Sequence, residues 1–172
     1  MKKSSRGFSL IELLIVVAIL LIIAAIAIPN LLRSRIAANQ ASAVGSLRTL
    51  NTAEITYATT YNTGYTSTLG DLGPPAAGTN PVATAAGLVD EVLAGTAGGA
   101  GSAATTSAKS GYQFTYAAGA TDTSGRINTY SITATPISVG TTGTNFYFTD
   151  QSGVIRQNST AVAGSSDSPL AG

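Results

Sequence analysis

The sequence predicts an α+β fold, with one long N-terminal helix packed on a small antiparallel sheet of about four strands. Three observations carry this. Residues 8–28 form an unbroken apolar run, residues 30–61 continue it with helical periodicity, and residues 111–158 switch to alternation of period two with short turns.

The apolar run, FSLIELLIVVAILLIIAAIAI, is 21 residues long. As a helix rising ~1.5 Å per residue it would span ~30 Å, about the thickness of a bilayer's hydrocarbon core. A removable secretory signal is one reading, because Ala25-Ile26-Ala27 has the small-x-small form of a cleavage site behind a basic leader. A plain membrane anchor is another. Against the signal stand the length of the run and a carboxylate, Glu12, near its start. An ionisable group inside a membrane segment costs on the order of a few kcal/mol and marks function.

Charge is sparse and uneven. Lys2, Lys3 and Arg6 precede the run; without them six basic residues face eight acidic ones, and the net charge moves from +1 to −2. Beyond Arg48 the basic residues are Lys109, Arg126 and Arg156, too scattered for a phosphate-binding stripe, which argues against nucleic acid as a partner. The chain has no cysteine and no histidine. It therefore folds without disulfides and lacks thiol nucleophiles and the two commonest zinc ligands. Nothing in it calls for a cofactor, and no paired-carboxylate motif suggests an enzyme.

The string Lys2-Lys3-Ser4-Ser5-Arg6-Gly7 followed by Phe8-Ser9-Leu10-Ile11-Glu12-Leu13-Leu14 resembles the class III leader of type IV pilins and pseudopilins. The resemblance implies that a prepilin peptidase removes residues 1–7 by cutting between Gly7 and Phe8, and that the new N-terminal Phe8 is methylated. It implies an inner-membrane precursor, then an extracellular filament of copies of this chain built by assembly machinery in that membrane. Motility and adhesion are the implied roles. A pseudopilin of type II secretion is the alternative, as is a minor pilin for surface or DNA binding. The chemistry of the cut is coherent. Glycine lets a protease approach the backbone closely, and the new α-amine at Phe8 gives Glu12 of a neighbouring subunit a partner. Both charges would otherwise sit unpaired in a dry medium, so one axial stagger is selected. The plainer reading has Glu12 snorkelling to the interface.

Pro29 removes one backbone hydrogen bond and should kink or loosen the helix; it equally suits a simple helix exit at the membrane boundary. Over residues 29–61, Val44, Leu47, Leu50, Tyr57 and Tyr61 recur near helical spacing and form one apolar face, and Asn62 with Gly64 offers a stop. Tyr57, Tyr61 and Tyr65 read as packing between helix and sheet rather than as an electron path.

Residues 62–110 read as a variable loop with a short helix near 81–94, and residues 95–110 as a mobile Gly/Ala/Ser/Thr stretch. The match of residues 99–104 to a dinucleotide fingerprint is compositional, lacking a strand before it. Strands are expected at 112–116, 130–134, 144–149 and 154–158, with a flexible tail over 159–172. The arrangement is similar to the pilin fold. The two cysteines with which many pilins close a C-terminal loop are absent. Asn158-Ser159-Thr160 fits the glycosylation pattern weakly, and Asp122, Asp150 and Asp167 read as solvated acids rather than calcium ligands.

Overall fold

A computed structural model describes residues 8–96 and 102–170. The leader, Gly7 included, lies outside them, as do residues 97–101 of the expected mobile stretch and the first part of the fingerprint match. The described chain is one long helix, a six-stranded antiparallel sheet and a little helical turn between them.

Helix α1 runs Leu10–Tyr61 and stays helical through Pro29. The proline nitrogen has no hydrogen to give the Ala25 carbonyl, and the helix tolerates that single loss without a break in its assignment. Two compact units divide the chain at Arg35/Ile36. In the first, the large apolar side chains from Leu10 to Leu32 are all exposed or nearly so. Its most apolar window has a mean hydropathy of 3.3 and no buried residue. Length and composition suit a membrane crossing.

In the second unit, α1 buries Ala43, Val44, Leu47, Leu50, Ala53 and Tyr57 on one face. The helix stops where Asn62 takes φ 55° and Gly64 φ 83°, left-handed conformations that end the hydrogen-bond ladder.

The sheet is a meander in chain order: β1 (Thr106–Lys109), β2 (Tyr112–Ala118), β3 (Tyr130–Pro136), β4 (Phe146–Asp150), β5 (Arg156–Asn158) and β6 (Ser168–Pro169). Ser110 and Gly111 both take positive φ between β1 and β2, which matches a two-residue turn to strand twist. Alternation sorts the faces. Tyr112, Phe114, Tyr116, Tyr130, Ile132, Ala134 and Tyr147 point inward onto the helix, while Gln113, Thr115 and Ala117 face out. Fully burying one such large side chain stabilises by about 1.5–3 kcal/mol, so the helix–sheet interface dominates the stability of this unit.

Four expectations need correction. The sheet has six strands, not about four, because β1 and β6 add an edge each. The helix expected near 81–94 shrinks to α2, Glu91–Ala94. The backbone before it is committed elsewhere: the Ala86 amide donates to Asp71, and those of Leu88 and Val89 donate to Leu72. A 3-10 turn, Leu69–Leu72, unforeseen in the sequence, provides those acceptors. Part of the stretch read as mobile is β1, and part of the tail is β6.

The tail is also pinned by side chains. Asn158 Oδ1 accepts from the amides of Thr160 and Ala161, and its Nδ2 donates to Asp167 Oδ1 at 2.9 Å. Asp167 Oδ2 accepts from the Gly164 amide, and Arg156 donates to the Asp167 carbonyl. A loop of ten residues, 158–167, is thus closed without a covalent link.

Candidate assembly site

The site begins where α1 begins. The Ser9 carbonyl accepts from the amides of Glu12 and Leu13 at 3.1 and 3.3 Å, and the Glu12 carboxylate reaches back to the Ser9 amide at 2.9 Å. This is the reciprocal half of a capping box, in which the third helical residue satisfies an orphan donor of the first turn. Ser9-x-x-Glu12 is the sequence signature of that box, a signal the reading of Glu12 as an assembly carboxylate passed over. One carboxylate oxygen is so occupied; for the other, no partner exists among the described residues.

Phe8 precedes the helix and is 74% exposed. Glu12 is the sole charged residue from Phe8 to Asn30. Gly7 falls outside the described residues, and within the chain the hydrogen-bond partner of Glu12 is Ser9, not Phe8. Pro29 lies at the other end of the same apolar segment, 17 residues beyond Glu12. The three described candidates therefore share one unit, separated by a surface of Leu, Ile, Val and Ala that no described residue covers.

The outward face of α1 in the second unit has a different character. The hydroxyls of Thr49, Thr52, Thr56 and Thr59 donate to the carbonyls of Gly45, Arg48, Thr52 and Ile55, one turn back in each case, at 2.8–3.1 Å. Their donors are spent inside the helix, so methyl groups face out, joined by Ile55 at 56% exposure. Such a face can be buried without orphaning a hydroxyl hydrogen. A groove of about 330 Å³ runs beside it, lined by Arg48, Thr49, Thr52, Ala53, Thr56 and Leu88.

Of the tyrosines expected to pack between helix and sheet, Tyr57 is buried in the core, Tyr61 packs against it, and Tyr65 meets Tyr130 of β3 edge-on. Tyr57 and Tyr61 have ring centroids 4.9 Å apart, and the Tyr57 hydroxyl donates to the Ala83 carbonyl. Burial raises the Tyr112 hydroxyl pKa to about 12, with the neighbouring Tyr147 adding to it. The three aspartates are each engaged locally. Asp122 accepts from the Ser124 and Arg126 amides and from Asn128, Asp150 from the Ser152 amide, and Asp167 within the tail loop. Among the described residues no three His, Cys, Asp or Glu side chains cluster as a metal site. The Asn158 Nδ2 donates to Asp167 in closing its loop, a bond that a glycan on that nitrogen would disturb.

Residues 2–28 match the prokaryotic N-terminal methylation motif. The chain is 52% identical over 50 residues to the type IV major pilin protein PilA of Myxococcus xanthus, which covers 29% of this chain and 23% of that protein. It is 60% identical over 37 residues to the type IV wide pilus major component of Thermus thermophilus, covering 22% of this chain and 28% of that one. The chain thus spans about a quarter of the length of the curated relatives it matches. No solved structure matches it. Over this N-terminal segment the chain is similar to type IV pilins.

Proposed function

We propose that the chain is the structural subunit of a type IV pilus. It is held in the inner membrane as a single-pass precursor, cut between Gly7 and Phe8 by a prepilin peptidase, and methylated at Phe8. Membrane-bound assembly machinery then polymerises it through α1 into an extracellular filament for motility or adhesion. The observation that carries this reading is the lone carboxylate of Glu12 at the head of an otherwise apolar, uncovered helix, four residues from Phe8.

The physical logic is one of deferred pairing. In the membrane the carboxylate leans on the Ser9 amide. Cleavage creates an α-amine at Phe8, and an amine from a neighbouring subunit offers the free carboxylate oxygen a charged donor, a stronger bond than a neutral one. The apolar surface loses its lipid contacts when the subunit leaves the bilayer, and only other copies of the same helix replace them without exposing it to water. The threonine face of α1, with Arg48 beside it, adds a second surface for burial. Both relatives are named as major pilus components, which favours a bulk fibre subunit.

The mass of the N-terminal peptide from sheared surface material tests the proposal. A peptide starting at methylated Phe8 supports it. A chain beginning at Ile28, or no shear-released fibre at all, overturns it.

A further inference from the structure

Three connections leave the sheet at the end where α1 enters the second unit. They are the β1–β2 turn, the β3–β4 loop of residues 137–145 and the β5–β6 loop of residues 159–167. Asn39 of α1, close to the unit's first residue Ile36, donates to the Thr142 carbonyl at 2.9 Å. Ser42 Oγ donates to Ser110 Oγ of the turn at 2.9 Å. Asn145 and Ser159 line one cleft, so the two longer loops lie side by side. Ile137, Val139 and Val162 stand out from them, 61, 64 and 59% exposed.

These loops are built to leave water at little cost. The sequence has no charged residue from Ile127 to Thr149 or from Gln157 to Ser166. Backbone donors are spent internally as well. The Ile137 amide donates to the Gly111 carbonyl, Thr141 and Thr142 to Ser138, and Gly140 to Gly143, while the Ser138 amide donates to Thr142 Oγ1. In the second loop the Thr160 and Ala161 amides donate to Asn158 Oδ1, and that of Gly164 to Asp167. Donors so satisfied are not orphaned in an apolar medium, a condition such a medium imposes on any backbone. Of the charged groups near the loops, Lys109 pairs with Asp90 at the β1 edge, and Asp167 accepts from Asn158 and Gly164.

The tether decides what meets these side chains. Ile28, the last residue of the apolar run, precedes Asn39 by eleven residues. Even fully extended, at about 3.6 Å per residue, that length holds Asn39 within ~40 Å of the run's end. A bilayer crossed by the run is therefore always in reach, at the high effective concentration a short link gives. A fluid lipid surface needs no complementary shape and takes apolar side chains into its headgroup–acyl boundary. We infer that Ile137, Val139 and Val162 dock this end of the second unit on the lipid surface of the membrane that holds the precursor. The inference rests on the proposed reading of residues 8–28 as that precursor's membrane segment. Because the loops carry no charge, docking needs no anionic lipid and withstands salt.

The test uses the full chain in phosphatidylcholine vesicles, with and without bromine on the acyl chains. The chain has no tryptophan. Val17→Trp, Thr123→Trp, Val139→Trp and Val162→Trp each add one reporter at an exposed position, away from the core. Thr123 lies in the β2–β3 connection, at the opposite end of the sheet, and controls for the affinity of tryptophan itself for interfaces. Brominated lipid should quench emission from positions 17, 139 and 162 and spare position 123, at low and high salt alike. If Val17→Trp is quenched but Val139→Trp or Val162→Trp is quenched no more than Thr123→Trp, the inference is overturned and the anchor stands. An unquenched Val17→Trp removes the membrane reading, and the inference with it. Shielding of Val139→Trp from aqueous acrylamide without quenching by lipid assigns the loops to a second copy of the chain, and overturns the inference too.

Discussion

Asn51 of α1 donates from Nδ2 to Thr149 Oγ1 of β4 at 2.9 Å, across the centre of the helix–sheet interface. The same amide donates to the Gly153 carbonyl and accepts from the Tyr130 hydroxyl at 3.1 Å. One side chain thus fixes helix, strand and turn against each other. Asn51→Ala leaves the buried hydroxyls of Thr149 and Tyr130 without this partner, each costing about 1–3 kcal/mol before any relaxation. The expected loss is about 2–4 kcal/mol of head stability, measured by chemical denaturation with an unchanged m-value.

Gly143 is a second sensitive point. A Cβ there would stand 2.2 Å from Tyr112 Oη and 2.6 Å from its ring. Tyr112 is fully buried and bonded to the Asn145 carbonyl, so the ring has nowhere to swing. Overpacking of this kind costs about 1–3 kcal/mol. Gly143→Ala should lower the melting temperature, and Gly143→Ala combined with Tyr112→Phe should recover part of it.

The ion pair between Lys109 and Asp90 should matter less than its 2.6 Å length suggests. Both side chains are partly solvated, and exposed pairs contribute about 0–1 kcal/mol. Asp90 also caps α2 by accepting from the Leu93 amide. Asp90→Ala should therefore cost about 1 kcal/mol and Lys109→Ala less. The Lys109 bond, ahead of the cap, holds the Asp90 pKa below its ordinary value. Its small stabilisation is present above the usual carboxylate range and fades as pH falls through the depressed value. The difference between wild type and Asp90→Ala should shrink in acid.

Under the proposed function, Glu12→Ala separates processing from assembly. Cleavage at Gly7 needs the leader and the backbone, so processed chain should accumulate in the membrane. Removing one member of a buried charge pair costs about 3–5 kcal/mol, so fibre in the sheared fraction should be lost. Normal fibre yield from this variant would remove the pairing argument.

How much was legible in advance follows from how local each signal is. The apolar run, Glu12 and the buried stripe Val44, Leu47, Leu50 and Tyr57 are patterns within one helix, and periodicity alone exposes them. Strands β2 and β3 alternate strongly because one face meets the helix. The edge strands do not: β1 is Thr-Ser-Ala-Lys and β6 is two residues, short and polar, defined by their neighbours' hydrogen bonds rather than by composition. The helix at 81–94 was overextended because Val82, Leu88 and Val89 have helical spacing. The amides of Leu88 and Val89 are drawn instead to the carbonyl of Leu72, a partner some sixteen residues away that spacing cannot reveal. The burial of Glu54 was not legible in the sequence for the same reason. Its partner Thr66, and Tyr116 bonded to Thr66, come together only in three dimensions.

The closure of residues 158–167 by Asn158 and Asp167 has a practical side. With no sulfur in the clasp, oxidant and reductant are irrelevant to whether this loop forms. The head can mature in a reducing compartment as readily as in an oxidising one. A thiol wash of the finished material should leave the loop's backbone protection from proteolysis untouched.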